Sequence, residues 1–450
     1  MTLQKTLEKV KTRECIIEVF GLGYVGFPLT VLLASSGFKV VGIDINTERV
    51  ERLKNNNLIE SEELLKEQFL HCRQNGTLKL SAIPEKTDSC KIGIICVPTP
   101  IPAKNVQSYI YVKSAAEDFL KTSKKGDIII IESSIEVGTT DIIQKLIEHK
   151  NFKVSEDFGL SFCPERIDPQ NKKWKLENIP RVIYSSDDMT FQISQEIYRH
   201  INNSNLVRIK SAKAAEVVKS FENSFRLVNI SLVNELAILC DKLGISVKDV
   251  LNAAGTKPFG FMRFYTSAGA GGHCIPKDPR FLKESANKVG FDFETINSAI
   301  NINYRIPEYI VEQIDKILEK KNLEKSVIVC GLAYKPDMED MRDSPGFKIL
   351  SEFQKNNYKI SIYDPFFKKE LLPKYLVENH LKELDFDILT DLDDQSIKNH
   401  NCICLVQHHT KPKFRIEEIY KKSLIPLIYD CQNKLEQNPN STTFLKTFGN

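Results

Sequence analysis

Short apolar runs alternate with amphipathic segments along the first third of the chain. Apolar runs with the length of buried strands lie at 14–20, 38–44, 91–97, 126–133 and 158–163. Segments with helical character lie between them, at 27–36, 108–122 and 139–150. Because strands that alternate with helices are typical of βαβ units, this pattern predicts a parallel sheet covered by helices.

The middle of the chain has a different pattern. Residues 211–243 contain neither glycine nor proline, and Gly244 follows them. This stretch predicts one helix about 45 Å long, which could join two domains or form the seam of a dimer. Further helices are predicted at 246–254 and near 308–321, on either side of a glycine-rich loop.

The last third repeats the first pattern. A strand with a glycine turn is predicted at 326–337, a helix at 344–357, and strands at 358–365, 401–407 and 424–430. The predicted fold class is therefore α/β, with two Rossmann-like doubly wound parallel sheets joined by a central helical domain. The predicted domains are 1–210, 211–322 and 323–450. Since such sheets bind ligands at the carboxyl ends of their strands, we expect the site in the cleft between the outer domains.

Composition and charge narrow the classes of partner. The 450 residues are 42% hydrophobic and 27% charged, with a net charge of +3 that is spread along the chain. This charge gives no basic patch, so neither nucleic acid nor a membrane is expected as a partner. No apolar stretch reaches the length of a transmembrane helix, and the start MTLQKTLEKVKTRE is too polar for a secretory signal. A cytoplasmic location is expected.

The chain has 11 cysteines, most of them inside apolar runs. Buried reduced thiols explain most of these positions. Cys402 and Cys404 share one face of a predicted strand, but no second pair follows at the spacing of a zinc site. We therefore expect no metal.

A glycine motif, GLGYVG, follows the first predicted strand and opens a helix. Gly21 permits the tight turn, Gly23 lets a pyrophosphate approach the backbone, and Gly26 allows the helix to pack on the strand. Asp44 ends the second strand, where a carboxylate accepts hydrogen bonds from ribose hydroxyls and repels a 2′-phosphate. This arrangement predicts NAD rather than NADP, although Arg49 lies close by. The alternative is a turn that serves packing alone.

The loop AGAGGHCIPKDP at 268–279 carries several reactive groups. Its residues alone leave Cys274 open as a nucleophile, a metal ligand or a buried thiol. A cysteine beside an NAD fold suits oxidation of an alcohol beyond the aldehyde. The thiolate would add to the aldehyde, a second hydride would leave a thioester, and water would release the acid. His273 is an unsuitable zinc partner because adjacent residues seldom converge on one ion.

Eight ordered blocks, which extend from the glycine turn to the last third, resemble the UDP-glucose/GDP-mannose dehydrogenase superfamily. The resemblance is greatest to the branch of UDP-N-acetylhexosamine 6-dehydrogenases. The blocks are GLGYVGFPL, CVPTP, ESSIEVGTT, CPERIDPQN, ENSFRLVNISLVNE, TKPFGFMRFY, GGHCIPKDP and GLAYKPDMEDMRDSP. The resemblance implies a four-electron oxidation of a UDP-sugar with NAD, which supplies precursors of polysaccharides or glycans.

The resemblance also implies roles for residues near the reacting carbon. Cys274 matches the nucleophile and Asp278 the carboxylate near the hydrolytic water. Lys219 and Asn223 match helix residues that stabilise oxyanions and place the substrate, and their spacing puts both on one helix face. Glu165 matches a glutamate that helps to deprotonate the alcohol through water.

Further matches concern the hydroxyl at Ser134, the substrate and the cofactor. Ser134 stands where the family usually has threonine. The implied substrate contacts are Glu165, Arg166, Lys219, Asn223, Lys257, Gly271, Gly272 and Lys335, with Lys257 reaching a neighbouring subunit. The implied cofactor contacts are Gly21, Gly23, Tyr24, Val25, Gly26, Asp44, Arg49, Thr99, Glu132 and Arg342.

Some positions depart from the family pattern. The usual proline of the ESSIEVGTT block is replaced at Glu136 or Val137, and Lys277 is typical of the UDP-glucose branch. UDP-N-acetylglucosamine is the expected substrate, with UDP-N-acetylmannosamine or UDP-glucose as alternatives. A second hypothesis is an NAD-dependent sensor or scaffold without turnover. The long helix predicts a homodimer or a higher homo-oligomer.

Overall fold

The computed structural model describes residues 2–59, 63, 65–100, 108–168, 171, 173–202 and 206–450. The chain forms two compact units, Met1–Phe221 and Glu222–Asn450. The boundary falls inside the long helix, so the predicted domain limits of 1–210, 211–322 and 323–450 stay predictions. Pro169 and Gln170 of the CPERIDPQN block lie outside the described residues.

The first unit is built from alternating strands and helices, as the apolar runs predict. Its elements are α1 (Leu3–Lys11), β1 (Ile16–Phe20), α2 (Gly26–Ser35), β2 (Lys39–Ile43), α3 (Thr47–Lys54), α4 (Lys66–Gln74), β3 (Leu78–Ser81), β4 (Lys91–Ile95), α5 (Ile110–Leu120), β5 (Ile128–Ile131), α6 (Thr139–His149), β6 (Gly159–Phe162), β7 (Arg181–Ser185), α7 (Asp188–Tyr198) and β8 (Leu206–Ile209). In the described chain their strands form one sheet in the order β3-β2-β1-β4-β5-β6-β7-β8. The first six follow the strand order of dinucleotide-binding folds.

One strand pair departs from the parallel pattern. Strand β7 runs antiparallel to β6, with Ser161 opposite Ser185 and Phe162 opposite Tyr184. The other pairs of this sheet in the described residues are parallel. Because its direction is reversed, the amino end of β7 reaches the carboxyl edge of the sheet, where ligands of such folds bind.

The cores on the two faces of this sheet are separate. In β5, Ile128 and Ile130 join one cluster, which includes Val19. Ile129 and Ile131 join the other. A strand buried on both faces requires an uninterrupted apolar run, which explains the four consecutive isoleucines.

The second unit begins inside the long helix α8 (Ala212–Leu243). Its other elements are α9 (Val247–Ala254), α10 (Asp278–Asn287), α11 (Glu294–Lys320), β9 (Ser326–Cys330), α12 (Pro345–Lys355), β10 (Lys359–Tyr363), a 3₁₀ turn (Lys369–Leu371), α13 (Leu372–Glu378), β11 (Asp387–Ile388), α14 (Asp394–Lys398), β12 (Cys402–Leu405), α15 (Lys413–Lys421), β13 (Leu427–Asp430) and β14 (Phe444–Thr447). Its described strands form a parallel sheet in the order β11-β10-β9-β12-β13-β14. This order repeats that of the first six strands, so the prediction of two doubly wound sheets and a helical middle is confirmed.

Helices α10 and α11 differ from the interpretation of their segments, and several elements had no prediction: α1, α3, α4, α7, α13, α14, α15, β3, β7, β8, β11 and β14. Helix α10 begins at Asp278, inside the segment interpreted as a glycine and proline loop, because Pro279 fits the first helical turn. Helix α11 begins at Glu294 rather than near 308, since it continues through Pro307. No helix in the described part of the chain is both long and apolar enough to cross a membrane.

Candidate active site

The glycine turn of the first unit lies at the carboxyl end of β1. Gly21 has a φ of +91°, and a side chain there would place its Cβ 2.8 Å from the Cys96 carbonyl oxygen. A Cβ on Gly26 would lie 1.8 Å from the Gly21 carbonyl oxygen. Gly23 differs, because its nearest neighbour would be the Arg49 guanidinium at 3.9 Å. Gly21 and Gly26 are thus required by packing, whereas Gly23 leaves open space beside the turn that suits an approaching phosphate.

Asp44 closes this turn from the end of β2. Its Oδ2 accepts the Leu22 N–H at 2.9 Å, and its Oδ1 accepts the Asn46 N–H at 2.9 Å. Arg49 Nη1 lies 3.4 Å from Asp44 Oδ2. Tyr24, beside Gly23, is half exposed. The structure therefore brings the predicted ribose carboxylate, the arginine and the open glycine together at one edge, which fits NAD. Val25, the last of the turn residues predicted to bind the cofactor, is partly buried.

A buried charged cluster lies at the next part of the same edge. Arg181 donates two hydrogen bonds to Glu132, at 2.9 and 3.0 Å, and its Nη2 also contacts Glu165 Oε2. Tyr198 donates its hydroxyl to Glu132 Oε1 at 2.5 Å. Both oxygens of Glu132 are thus held by protein donors, which gives this predicted cofactor contact a structural role. Glu165 Oε1 accepts the Arg166 N–H at 2.5 Å.

Arg181 and Tyr198 were missed by sequence reasoning. Arg181 stands 49 residues from Glu132 and 16 from Glu165, so no local motif joins them. The available signal was an arginine at the start of an apolar strand, RVIYS, where a charged residue needs a buried partner. Of the remaining predicted residues of this unit, Thr99 is buried and Ser134 is partly buried after β5.

Helix α8 carries the predicted pair Lys219 and Asn223. Lys219 is 8% exposed, so it is not the solvated lysine that its position on an amphipathic helix would suggest. In the second unit, Asn223 Nδ2 donates to Asp278 Oδ2 at 2.6 Å. The structure therefore brings Asn223 and Asp278 together, as a shared site requires.

The glycine loop presents Cys274 to solvent while burying its neighbours. Cys274 is exposed, whereas Lys277 and Asp278 are 3% and 0% exposed. The Lys277 ammonium lies 3.9 Å from Asp278 Oδ1 and 5.2 Å from the centre of the Phe281 ring. Lys277 thus faces the interior of the unit beside Asp278. Burial and the nearby cations lower the pKa of His273 to about 2, so this histidine is neutral at working pH.

Gly271 and Gly272 are required by packing within the second unit. A Cβ on Gly272 would lie 2.6 Å from the Tyr334 ring, and one on Gly271 would lie 2.7 Å from the Asp343 carbonyl oxygen. The Gly272 N–H donates to the Arg342 carbonyl oxygen at 3.0 Å. This packing explains both glycines without a substrate contact.

Two asparagines fix the same loop and were not identified from the sequence. Asn303 accepts the Ala270 N–H at 2.6 Å and donates to the Ala270 carbonyl oxygen at 3.1 Å. Asn234 accepts the Ser267 N–H at 3.0 Å. Each asparagine lies on a helix face whose other residues are mostly apolar. A polar residue among apolar ones was therefore the feature of the sequence that could have identified it.

Three more predicted residues of this unit are Lys335, Arg342 and Lys257. Lys335 lies 5.9 Å from the centre of the Tyr334 ring, and the Arg342 guanidinium binds Asp340 through Nε at 2.9 Å and Nη2 at 2.6 Å. Lys257 is exposed beside Phe259.

The described residues contain no group of three or more side chains suited to a metal. Cys404 Sγ lies 3.9 Å from Cys431 Sγ, and both residues are buried.

His408 and His409, which follow β12, each bind an aspartate. His408 Nε2 donates to Asp430 at 2.7 Å, and His409 Nε2 donates to Asp364 at 3.1 Å. The Asp337 N–H donates to His409 Nδ1 at 2.9 Å, which fixes His409 as the neutral Nε2–H tautomer. These pairs hold the ends of strands in the second sheet.

Comparison with known proteins gives matches along nearly the whole chain. Residues 15–202, 213–305 and 328–437 match the NAD binding, central and UDP binding domains of the UDP-glucose/GDP-mannose dehydrogenase family. The chain is 33% identical to UDP-N-acetyl-D-mannosamine dehydrogenase of Methanococcus aeolicus, over 97% of this chain and 95% of the relative. It is 34% identical to UDP-N-acetyl-D-glucosamine 6-dehydrogenase of Salmonella typhi, over 79% and 84%. Among solved structures, the UDP-D-ManNAc dehydrogenase of Pyrococcus horikoshii aligns with a TM-score of 0.83 at 28% identity, covering 96% and 99%.

Proposed function

The chain belongs to the UDP-glucose/GDP-mannose dehydrogenase family, and we propose that it oxidises the C6 hydroxyl of a UDP-N-acetylhexosamine to the carboxylate. The observation that carries this proposal is the exposed Cys274 on a loop whose Asp278 is bound by Asn223 at 2.6 Å. A thiol, a carboxylate and an amide in one unit are the groups that the second oxidation needs. A two-electron dehydrogenase needs no such thiol.

The residues act in two stages. In the first, Glu165 accepts the hydroxyl proton through water, and Lys219 and Asn223 stabilise negative charge at the reacting oxygen. The Gly21–Gly26 turn would hold NAD, which would supply the hydride acceptor for both oxidations. In the second stage, Cys274 adds to the aldehyde to give a thiohemiacetal and then a thioester. Asp278 orients the water that releases the acid.

The sugar is proposed to carry an N-acetyl group at C2. The resemblance of the sequence blocks favours UDP-N-acetylglucosamine, and a relative named UDP-N-acetyl-D-glucosamine 6-dehydrogenase is 34% identical. UDP-N-acetylmannosamine is the second candidate, because the relative that spans 97% of this chain is named for it. Lys277 is typical of the UDP-glucose branch and keeps that sugar as an alternative; its ammonium lies beside Asp278 and Phe281 inside the unit. The product would supply polysaccharide or glycan synthesis in the cytoplasm.

The direct test incubates the purified protein with NAD and each UDP-sugar. We expect two NADH per sugar with a UDP-N-acetylhexosamine and a slower reaction with UDP-glucose. One NADH per sugar would indicate an enzyme that stops at the aldehyde, and no NADH with any UDP-sugar would favour the scaffold hypothesis.

Replacing Cys274, the proposed nucleophile, should distinguish the first oxidation from the second. We expect Cys274→Ser to abolish formation of the uronate and to permit at most the first oxidation, because an alcohol side chain is far less nucleophilic than a thiolate. Product analysis by mass spectrometry measures this. The buried Cys404→Ser serves as the matched control and should keep both oxidations. Uronate formation by Cys274→Ser at the wild-type rate would contradict the thioester mechanism.

A further inference from the structure

The buried cluster of the first unit contains one more acid than base. Arg181 is fully buried and binds both Glu132 and Glu165, which are themselves buried. Arg181 also stacks on Tyr198, with its guanidinium carbon 4.7 Å from the ring centre. Two carboxylates therefore share one guanidinium at a largely buried place, where charges interact strongly.

The arrangement of β6 and β7 brings the charged groups of this cluster close together. The antiparallel register of β6 and β7 sets Phe162 opposite Tyr184. Glu165 follows the end of β6 and Arg181 begins β7, so both residues lie at the same end of this strand pair. The Glu165 N–H also lies 3.4 Å from the Glu132 carbonyl oxygen. Because β7 is reversed, its first residue, Arg181, lies close to both acids. A parallel β7 would place its first residue at the opposite edge of the sheet.

The buried thiols and the phenol beside the cluster are neutral at working pH, and Arg166 is the nearest further cation. Burial raises the pKa of Cys163 to about 12, and it also raises the pKa values of Cys96 and Tyr198. Arg166, the next cation along the chain, donates to the Pro180 carbonyl oxygen at 2.8 Å. The charge of the cluster is thus set by Arg181, Glu132 and Glu165.

We propose that Arg181 and Glu132 are positioning residues for Glu165. Arg181 fixes the Glu165 carboxylate, and Glu132 neutralises the guanidinium so that Glu165 remains able to take up a proton. This inference rests on the proposed function, in which the alcohol loses a hydride to NAD and its hydroxyl proton to Glu165. Proton uptake leaves a protonated Glu165 beside a neutral Arg181–Glu132 pair. Without Glu132, Glu165 would be the sole counter-ion of a buried guanidinium and a poor base.

The test compares two variants whose effects have opposite signs. Glu132→Gln leaves Glu165 alone with the cation, so the acid limb of the pH profile of kcat should move about one unit lower and kcat should fall about tenfold. Arg181→Gln leaves two acids without a cation, so the limb should move about one unit higher. Glu216→Gln is the matched control, because Glu216 is a buried glutamate of the same unit held only by Gly138 and Thr140 in the described contacts. It should lower the melting temperature without moving the limb.

A second measurement needs no substrate. Infrared spectra follow the protonated carboxyl band that disappears in Glu165→Gln, and its titration should move to lower pH in Glu132→Gln. An unmoved infrared titration, or limbs that move in the same direction in both variants, would overturn the inference. A shifted infrared titration in a protein that oxidises no UDP-sugar would instead overturn the proposed function. Glu132→Gln is nearly isosteric, so it keeps the test available if Arg181→Gln does not fold.

Discussion

Asp44 and Asp364 hold the same place in two glycine turns but differ in their surroundings. Asp44 accepts the Leu22 N–H and Asp364 accepts the Leu332 N–H, at 2.9 and 2.6 Å. The side chain of Asp44 is 10% exposed, whereas that of Asp364 is 0% exposed and also bonded by His409. Of this pair, only the side chain of Asp44 is partly exposed, so we predict that the NAD preference depends on Asp44.

Replacing Asp44 should change the cofactor preference. Asp44→Asn keeps an acceptor for the Leu22 N–H but removes the charge that repels a 2′-phosphate. We expect the ratio of kcat/KM for NAD to that for NADP to fall about tenfold, the equivalent of one charge-assisted hydrogen bond. Steady-state kinetics with both cofactors measure this ratio. Asp364→Asn provides the control and should leave the ratio unchanged; an equal fall in both variants would contradict the assignment.

Residue roles that follow a local motif could be predicted from the sequence, and roles that need distant partners could not. GLGYVG and Asp44 lie within one βαβ unit, so spacing alone indicated their association. Arg181 contacts Glu132 because strand β7 runs antiparallel to β6. The direction of a strand cannot be inferred from the alternation of its apolar residues. The packing of Gly271 against the Asp343 carbonyl oxygen and of Gly272 against the Tyr334 ring also involves distant partners, and the substrate contact of both glycines stays a prediction.

At the scale of elements, the loop that bears Cys274 depends on helices α8 and α11. Asn303 of α11 binds both the N–H and the carbonyl oxygen of Ala270, and Asn234 of α8 binds the Ser267 N–H. Side chains of two helices thus satisfy backbone hydrogen-bonding groups of the loop, as a neighbouring strand would do in a sheet. A fixed backbone here holds the thiol in one place, which is what a nucleophile needs.

Loosening this attachment should slow catalysis more than it weakens binding. Asn303→Ala leaves two buried backbone groups of Ala270 unpaired, at a cost of about 1–3 kcal/mol. We expect a lower melting temperature and a kcat reduced about tenfold, with KM for NAD unchanged. Calorimetry and steady-state kinetics measure these changes. Asn229→Ala is the control, because Asn229 bonds only its own helix through the Phe225 carbonyl oxygen. A wild-type kcat in Asn303→Ala would show that the loop holds its shape without this contact.

The central strands and the long helices could be predicted from the apolar pattern, whereas several short or outer elements, such as α1, β3 and β14, were not. Helix α8 was predicted within one residue at its start, because neither glycine nor proline interrupts it. The predicted start of α11 was wrong, because the helix continues through Pro307 although an internal proline removes a backbone hydrogen bond and crowds the preceding turn. Helix α10 was missed because Pro276 and Pro279 gave its first turn the composition of a loop.

At the scale of the whole molecule, helix α8 carries an apolar stripe that its own chain leaves exposed. Val217, Phe221, Phe225, Leu232, Leu239 and Leu243 recur at helical spacing, with exposed fractions between 36% and 62%. An exposed patch of this kind marks an interface in most proteins. We predict that a second copy covers it, which gives a homodimer or a higher homo-oligomer.

Charge on the stripe should therefore lower the molar mass in solution. We expect the double variant Leu232→Glu and Leu239→Glu to become monomeric, because buried unpaired carboxylates would face each other across the seam. Light scattering coupled to size-exclusion chromatography measures the mass. Val377→Glu, at an apolar position of α13 that is 74% exposed, should keep the wild-type mass. A wild-type protein that is monomeric at micromolar concentration would contradict the prediction.

The exposure of Cys274 has a practical consequence for chemical biology. Of the 11 cysteines it alone is exposed, while Cys96 is partly covered and the others are buried. A maleimide dye or an electrophilic fragment should therefore form one adduct per chain, without prior removal of other thiols. Intact mass spectrometry would count that adduct. The native chain can thus be labelled at its proposed nucleophile with fluorescent reporters, and the same thiol can serve in screens for covalent inhibitors.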